Sequence, residues 1–574
     1  SGAFVLLMIP LFIGNEHIEN RHKITLLTLL GVLYFSMNLN LLDYVWHGFH
    51  FPNQLPGRWT FMFASTMILV SYESLLRLDG LKRKTLLISL FNVLFILSLM
   101  KVIPEAQRVS DRMVHKTMLG MLLYAGILFT WISVKQENIK TLCVVALSLC
   151  MILEVGLHAT TVLPRDSAAN SKLSYQHADL KMEKIVAAYD SGENDLYRME
   201  ILPNWTYNPG QLYGYKGMTY YSSTMTGAAF NFYKSLGFRA YAPNVSTSYN
   251  PYSPITNALL NLKYVVDRNV YVDVPGLEYV ETVEGYDVLE NQYHLPFAFM
   301  ANRAVLDVKL DSKNFLENQE KFLSAVVGED VKVFKPVEAK QITSSFINCE
   351  IAEDPDWKAQ HYLRTDKSAP VELTFTYVAE TDAYVYFEHN FKAGTLSVTA
   401  KEITKSNEAT HDAIRQVGFI KTGETVVVNV KAENVDVGVW GMRFYTLDEA
   451  AFKAAYDRLT TDTIQNVHFE TTKLTGTLNL KEAGLLYTTI PYDAGWTVKS
   501  NGEKLKVLKA ADYLIAVELK PGVQTIDFEY HVPGLFLGSV ISVLSLVLVI
   551  GMAWRGGRKV KDKKTVKDGD EVIE

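Results

Sequence analysis

The segment "VPGLFLGSVISVLSLVLVI", residues 532–550, decides the fold class of this 574-residue chain. It contains no ionisable residue, and its length approaches the roughly 20 residues with which a helix crosses a bilayer. The residues that follow are basic: Arg555, Arg558, Lys559, Lys561, Lys563 and Lys564. Because basic residues favour the cytoplasmic side, we expect a final transmembrane helix at 534–554 and a basic cytoplasmic tail at 555–574.

Apolar runs also dominate the first part of the chain. They lie at 24–42, 59–78, 85–101, 117–134 and 141–160. The run from Ala3 to Ile13 is too short for a span, so we expect a chain cut inside a transmembrane helix, with more membrane domain upstream. Residues 1–161 are therefore predicted to be a partial transmembrane helical domain of about six segments.

Basic residues between these runs set the predicted orientation. Arg21 and Lys23, the Arg77–Lys84 connector, and Lys135 with Lys140 all fall on one side when the spans alternate. Placing them in the cytoplasm satisfies the positive-inside rule. The connectors 44–58 and 102–116 and the large block from 162 to 533 then face outward, in a multi-pass protein of the cell membrane.

The outer block divides by pattern. Residues 162–305 mix helical and extended signals, which predicts a mixed α/β domain. Residues 306–533 contain alternating segments such as "VELTFTYV" and "ETVVVNVKA" with Gly, Asn or Asp turns between them, which is typical of one or two β-sandwiches. The predicted fold is a multi-pass α-helical membrane domain, a large extracytoplasmic α+β and β-sandwich region, and a C-terminal transmembrane helix.

Composition excludes several classes of protein. The formal net charge of -6 is small for this length and does not predict nucleic-acid binding. Cys143 and Cys150 lie in an apolar run and Cys349 stands alone, so a disulfide scaffold is excluded. The chain has no phosphate-binding glycine loop, HExxH, CxxC or nucleophile elbow, so we predict no metal site, and the sequence identifies no cofactor.

The connector "VWHGFHFPNQLPGRWTF", residues 45–61, combines rings, turn-formers and a cation. Arg58 stands at the outer mouth of the next span, where a lipid phosphate would lie, and its planar guanidinium suits phosphate oxygens. His47, His50 and Asn53 are expected to bond the phosphate or a sugar, and Trp46 to stack or anchor. The alternative is an aromatic-belt loop whose arginine reaches the headgroups.

Glu154 and His158 lie one helical turn apart near the outer end of the 141–160 run. Ionisable groups at membrane depth are costly, which makes both residues candidates for donor binding. The alternative is that they are hydrated at the interface or pair only with each other.

The segment "QLYGYKGMTYYSSTMTG", residues 211–227, is rich in rings, glycines and hydroxyls. Rings stack on sugar faces and hydroxyls bond sugar hydroxyls, so this segment is a candidate acceptor site. Ordinary aromatic packing explains the composition equally well. The candidate residues are Tyr213, Tyr215, Tyr220, Tyr221, Ser222 and Ser223.

Several of these stretches together resemble the YfhO family of bacterial multi-pass membrane proteins. The similar stretches are "HGFHFPNQLPGRWTF", "LYGYKGMTYYSSTM", "LLNLKYVV", "YHLPFAFM", and "IPYDAGWTV" followed by the final span. Their order and spacing extend the resemblance from about residue 40 to 555.

The resemblance implies a glycosyltransferase with a GT-C-like membrane domain. Such an enzyme moves a sugar from a polyprenyl-phosphate carrier, at the outer face of the bilayer, onto a cell-envelope polymer. Teichoic or lipoteichoic acid is the acceptor implied in Gram-positive bacteria. GT-C enzymes carry an acidic catalytic residue in their first outer loop, which the resemblance places upstream of this chain, so no catalytic residue is assigned here.

Two other functions remain open from the sequence. A lipid or polysaccharide flippase is disfavoured because intramembrane charge is limited mainly to Glu154, Glu73 and Arg77. A non-catalytic protein that binds the cell surface is disfavoured because anchoring needs only one or two spans.

Overall fold

The structure, a computed structural model, divides into two units, Ser1–Tyr175 and Gln176–Glu574. The residues it describes are 2–49, 57–100, 110–162, 172–189, 192, 195–203, 206–241, 245–250, 252–268, 273–311, 313–352, 360–391, 394–401, 403–408, 413–433 and 435–569.

The described part of the first unit is helical. Its helices are α1 (Ala3–Gly14), α2 (Asn20–Asn38), α3 (Asn40–Trp46), α4 (Thr60–Leu75), α5 (Arg83–Leu99), α6 (Asp111–Ser133) and α7 (Glu137–Val162), with a 3-10 turn at Leu78–Gly80. Helix α1 is buried among α4, α5 and α6, where Leu7, Met8 and Leu11 are fully enclosed. A short helix that is apolar all round needs such a position, because no polar face is available to meet water.

The lengths of the helices reduce the number of segments that qualify as membrane spans. Among the described residues, three helical segments are long and apolar enough to cross a membrane: Asp111–Ser133, Glu137–Thr160 and Leu535–Arg555. Helices α2 and α3 would add a fourth span as a pair, but they are bent by 104° at Leu39. The span predicted at 24–42 is therefore interrupted at Leu39, which adopts an extended backbone between two asparagines. Helices do form within 59–78 and 85–101, with 16 and 17 residues.

The second unit combines helices with many strands. Its helices are α8 (Lys172–Ala188, beginning just before the unit boundary), α9 (Pro209–Tyr213), α10 (Gly227–Ser235), α11 (Pro254–Leu259), α12 (Phe315–Val327), α13 (Glu449–Leu459) and α14 (Leu535–Gly569). The strands of its first half are β1 (Arg198–Leu202), β2 (Tyr220–Tyr221), β3 (Arg239–Tyr241), β4 (Ser246–Ser248), β5 (Leu262–Asp267), β6 (Leu277–Val283), β7 (Tyr286–Asn291), β8 (Ala298–Ala301), β9 (Phe334–Pro336), β10 (Ile342–Ile347), β11 (Cys349–Ala352), β12 (Gln360–Arg364), β13 (Val371–Val378) and β14 (Ala383–His389). Those of its second half are β15 (Thr395–Ala400), β16 (Ile403–Glu408), β17 (Ala413–Ile420), β18 (Thr425–Ala432), β19 (Val437–Trp440), β20 (Met442–Leu447), β21 (Gln465–Phe469), β22 (Lys473–Leu480), β23 (Gly484–Pro491), β24 (Trp496–Ser500), β25 (Glu503–Lys504), β26 (Leu508–Ala510), β27 (Leu514–Leu519) and β28 (Gly522–Tyr530).

A small mixed sheet, in the order β1-β5-β7-β6, lies at the start of this unit. Strands β1 and β5 are parallel, and the remaining pairs are antiparallel. Met182, Ile185 and Val186 of α8 pack on Met199 and Ile201 of β1. A second small sheet, β2-β4-β3, begins inside the tyrosine-rich segment 211–227.

Two pairs of packed sheets confirm the predicted β-rich region. The first pair is β10-β13-β18-β15-β16 with β17-β14-β20-β9, and the second is β21-β22-β28-β24-β25 with β26-β27-β23-β8. A third sheet, β11-β12-β19, flanks the first pair and contributes Tyr362 to its core.

A layer formed by α10, α11, α12 and α13 covers the outer face of one sheet in each pair, β17-β14-β20-β9 and β26-β27-β23-β8. Strand β14 shows the consequence, because Val385 and Phe387 face one core while Tyr386 faces the helices. Burial on both faces explains why the first five residues of β14, Ala383–Phe387, are all apolar or aromatic.

Candidate functional site

Asp43 organises the connection between α3 and α4. Its Oδ1 accepts hydrogen bonds from Trp59 Nε1 (3.0 Å) and from the backbone N–H of Gly57 (3.2 Å). Gly57 has a φ of 67°, a left-handed conformation that glycine adopts without steric cost. One carboxylate therefore fixes the residues that enter α4 against the end of α3.

His47 lies one helical turn after Asp43 and joins the same group. Its Nδ1 is 2.8 Å from the Asp43 carbonyl oxygen and 3.3 Å from Asp43 Oδ1. The imidazole is mostly buried, and its Nε2 has no hydrogen-bond partner among the residues that the structure describes. The Trp46 ring stacks on Trp59 with 5.4 Å between ring centroids. We call Asp43, Trp46, His47 and Trp59 the Asp43 cluster.

Arg58 immediately precedes Trp59 of this cluster, but it is more exposed to solvent than Asp43 and His47 are. Its side chain is exposed, and it forms no hydrogen bond or ion pair within the described part of the chain. It immediately precedes Trp59, the N-cap of α4, whose side chain caps no backbone N–H. A cation at the positive end of a helix dipole is unfavourable, whereas an anion there is attracted by the helix and the guanidinium together. Two other residues predicted for this site, His50 and Asn53, lie outside the described residues.

Glu154 on α7 is held inside the helical unit. Its Oε2 accepts a hydrogen bond from the Tyr124 hydroxyl on α6 (3.0 Å), and its Oε1 accepts one from the Ala3 backbone N–H (2.7 Å). His158, one turn further along α7, has an exposed side chain. The structure thus joins Glu154 to α1 and α6.

The tyrosine-rich segment occupies several environments. Tyr220 packs on the helical layer, where burial raises its pKa to about 12. Tyr221 is 41% exposed, and its ring lies 5.7 Å from that of Tyr207, which is 69% exposed. The Ser222 hydroxyl bonds the Thr224 hydroxyl (2.9 Å).

Two more predicted acceptor residues, Tyr213 and Ser223, are respectively half-buried and exposed. Tyr221, Ser222 and Ser223 therefore reach the surface together with Tyr207, whereas Tyr220 faces the interior.

Tyr215 is buried beside Glu200, a residue that sequence reasoning missed. Glu200 is fully buried on β1 and accepts hydrogen bonds from the backbone N–H groups of Met218 and Thr219 and from the Thr219 hydroxyl (2.9 Å). Burial raises the pKa of Glu200 to about 7, although these hydrogen bonds act in the opposite direction. Its signal in the sequence was a lone carboxylate within the apolar strand "RMEIL".

Asp43 was also missed. The available signal was its spacing of four residues from His47, which places both side chains on one face of a helix. No group of three or more His, Cys, Asp or Glu side chains in the described ranges is arranged to hold a metal ion.

The family model described as "Bacterial membrane protein YfhO" matches residues 1–542. This chain belongs to the YfhO family. The resemblance predicted from the sequence is confirmed, and with it the membrane location of the protein.

One curated relative in this family comes from Bacillus subtilis (strain 168). This "Uncharacterized protein YfhO" is 25% identical over 385 residues, which are 62% of the present chain and 43% of the relative. The chain therefore matches less than half of the length of this curated relative.

Solved structures resemble the chain only in parts. Ruminococcus gnavus β-glucuronidase matches with a TM-score of 0.14 and 8% identity, covering 34% of this chain and 41% of that enzyme. The Pseudomonas aeruginosa PAO1 protein of unknown function PA5104 matches with a TM-score of 0.11 and 7% identity, covering 35% of this chain and 94% of that protein. Neither likeness carries a functional argument.

Proposed function

We propose that this YfhO protein is a membrane glycosyltransferase of the GT-C type. It moves a sugar from a polyprenyl-phosphate carrier onto a cell-envelope polymer such as teichoic or lipoteichoic acid, at the outer face of the membrane. In this reaction an acceptor hydroxyl attacks the anomeric carbon of the sugar and loses its proton. The bond between that carbon and the carrier phosphate breaks, and the phosphate leaves with the electron pair.

The observation that carries the proposal is the environment of Arg58. The departing phosphate gains negative charge, so the reaction is accelerated by a cation held where that charge develops. Arg58 is exposed, unpaired within the described residues and adjacent to the N-terminus of α4. The guanidinium and the positive end of the α4 dipole together favour an anion, such as a lipid phosphate, just outside this apolar helix.

The Asp43 cluster supports this role by holding the entrance to α4 in place. Hydrogen bonds from Gly57 and Trp59 to Asp43 fix the residues on either side of Arg58. Preorganisation of this kind lets a cation act without reorganising during the reaction. Trp46, stacked on Trp59 and 41% exposed, offers a ring face for the transferred sugar or the lipid interface.

The second unit supports acceptor binding through the exposed pair Tyr207 and Tyr221. The Tyr221 backbone N–H is bonded to Asn208 Oδ1 (2.7 Å), which holds the pair in place. Exposed rings stack on the apolar faces of sugars.

The test replaces Arg58 in the full-length protein, reconstituted in vesicles with a polyprenyl-phosphate sugar and teichoic acid. We expect Arg58→Ala to lower kcat by on the order of 100-fold, as for removal of one preorganised donor to a developing oxyanion. Arg58→Lys should retain part of the rate, because it keeps the charge but loses the planar fork. Sugar incorporation into the polymer is the measured quantity.

Arg112 provides a matched control, because it is an exposed arginine in the first turn of another helix, α6. Arg112→Ala should transfer sugar at the wild-type rate. If Arg58→Ala also does so, the role assigned to Arg58 is wrong. If the wild-type protein moves the lipid across vesicles but transfers no sugar, the protein is a flippase and the proposal fails.

A further inference from the structure

Helix α5 has one packed face and one exposed face. The packed face shares a core with α1 and α6 and consists of Leu86, Leu90, Val93 and Leu97. The exposed face lies on the opposite side of the helix and consists of Ile88, Phe91, Asn92, Phe95 and Leu99. We call these five exposed residues the α5 face. Their spacing of three, four, seven and eleven residues from Ile88 places them along one side of a helix.

Asn92 is the polar member of the α5 face, and it lies in the middle of a predicted membrane span. Helix α5 coincides with the span predicted at 85–101, and its 17 residues are at the lower limit for crossing a bilayer. Arg83 and Lys84 mark the polar end of the helix. At a rise of about 1.5 Å per residue, Asn92 lies about 13 Å from Arg83 along the axis. This distance places the amide near the centre of a hydrocarbon layer about 30 Å thick.

The amide of Asn92 lacks the internal hydrogen bond that other exposed polar side chains of the first unit form. Asn38 Nδ2 donates to the Tyr34 carbonyl oxygen (2.8 Å), and the Ser148 hydroxyl donates to the Val144 carbonyl oxygen (3.0 Å). Within the ranges that the structure describes, the Asn92 side chain forms no hydrogen bond. An unbonded amide is costly in hydrocarbon, because lipid chains offer neither donors nor acceptors. Asn92 therefore needs a polar partner from outside this bundle of helices.

A second copy of the chain offers a partner with complementary partial charges. Two copies in one membrane are related by a two-fold axis along the membrane normal, which places both Asn92 residues at the same depth. Each amide carries a positive N–H end and a negative carbonyl end, so each copy donates to the other and accepts from it. Polar side chains of this kind hydrogen-bond across transmembrane helices.

The rings beside Asn92 add apolar contact area to this surface. Phe91 and Phe95 are 67% and 57% exposed, and their rings are stacked with 6.2 Å between centroids. Both lie within one helical turn of Asn92. Packing of these rings against a second helix would exclude lipid from around the paired amides.

We propose that the α5 face packs against the same face of a second copy of this chain, with the two Asn92 amides hydrogen-bonded to each other inside the membrane. The interface is isologous, so each copy contributes the same residues. This contact does not depend on the transfer reaction proposed above.

The test measures the equilibrium between monomer and dimer for the full chain in lipid vesicles. Single-molecule photobleaching of labelled protein counts the copies per complex over a range of protein-to-lipid ratios. We expect wild-type dimers whose fraction rises with this ratio. Asn92→Leu should weaken the dimer about 3- to 30-fold, the range typical of a hydrogen bond between transmembrane helices. Asn92→Gln should retain most of the affinity, because its amide is also self-complementary.

Ser148→Leu is the matched control, since Ser148 is an exposed polar residue on another helix, α7, and is already bonded within that helix. This variant should dimerise as the wild type does. At dilutions where the chain is monomeric, the thermal midpoint of Asn92→Leu should not fall.

Cross-linking tests which face forms the contact. The native cysteines, Cys143, Cys150 and Cys349, are first replaced by Ala. Oxidation in vesicles should then link Ile88→Cys into a disulfide dimer. It should not link Leu142→Cys, which is 65% exposed on α7.

Five results would overturn the inference. The first is a wild type that stays monomeric at every protein-to-lipid ratio, and the second is unchanged dimer affinity in Asn92→Leu. The third is cross-linking of Leu142→Cys but not of Ile88→Cys. The fourth is a lower thermal midpoint of monomeric Asn92→Leu, which would show that the amide is bonded within one chain. The fifth is rapid labelling of Asn92→Cys by a membrane-impermeant thiol reagent, which would show that α5 does not lie in lipid.

Discussion

Glu200 and Asp43 show how much a single carboxylate can do when its partners are remote in sequence. Glu200 bonds residues 18 and 19 positions away, and Asp43 bonds residues 14 and 16 positions away. Residue type and local spacing identified Arg58, Trp46 and the tyrosines as candidates. They did not identify these two carboxylates, because a hydrogen bond across a chain reversal leaves no periodic signal.

Glu200 should make stability depend on pH. Its folded-state pKa of about 7 exceeds the ordinary value of 4.5 because of burial, so the folded state holds a proton that the unfolded state has lost between these values. Its contribution to the free energy of unfolding therefore falls as pH rises from about 4.5 to 7 and is constant above that. In Glu200→Gln this contribution is absent. The thermal midpoint of the variant minus that of the wild type should increase from pH 5 to pH 8.

A second variant controls for general effects of removing a carboxylate. Glu278→Gln lies on the exposed face of β6, and its midpoint should follow that of the wild type at every pH. A difference between Glu200→Gln and the wild type that is the same at pH 5 and pH 8 would contradict the buried-proton account.

At the scale of elements, the local sequence is sufficient to predict a turn or a helix whose formation depends on adjacent residues alone. The pair Asn501-Gly502 is typical of a tight turn between two strands, and both residues adopt positive φ, of 49° and 86°. The segments "NFLENQEKFLSAVV" and "LDEAAFKAAYDRL" have the apolar spacing of helices and form α12 and α13. The bend between α2 and α3 was not predicted, because hydropathy reports apolar length and not a change of direction.

Helix α13 allows a test of its N-terminal cap. Asp448 Oδ1 accepts a hydrogen bond from the Ala451 backbone N–H (3.0 Å), and the same carboxylate pairs with Lys335 (2.7 Å). Asp448→Ala should lower the free energy of unfolding of the second unit by about 1 kcal/mol. Asp448→Asn should lose less, because asparagine also caps helices. Equal losses in thermal or denaturant unfolding of both variants would mean that the ion pair, not the cap, stabilises the helix.

At the scale of the whole molecule, the predicted orientation can be tested by cysteine labelling. Cys143, Cys150 and Cys349 are first replaced by Ala or Ser, and one cysteine is introduced at exposed Ser223 or Glu137. In intact cells, a membrane-impermeant thiol reagent should label Ser223→Cys. It should label Glu137→Cys only after the cells are opened. The reverse pattern would show that the positive-inside orientation is wrong.

The sequence by itself determined the class of the molecule. Continuous apolar runs predicted the helices of a membrane protein. In lipid, the side chains must be apolar and the backbone polar groups must form hydrogen bonds within the segment. Segments with alternating apolar and polar residues predicted the β-rich region, because one face of each strand packs into a hydrophobic core. The order and spacing of the sequence motifs predicted membership of the YfhO family.

The tertiary structure alone decided which side chains meet. It placed Asp43 against Gly57 and Trp59, left Arg58 exposed at a helix end, and left Asn92 on the exposed face of α5. It also covered one sheet of each pair with the same helical layer. The hydrophobic effect is non-directional. It determines which residues are buried, but it does not determine which helices and strands pack against one another. The contacts between candidate functional residues depend on which elements pack together, and this is known only from the tertiary structure.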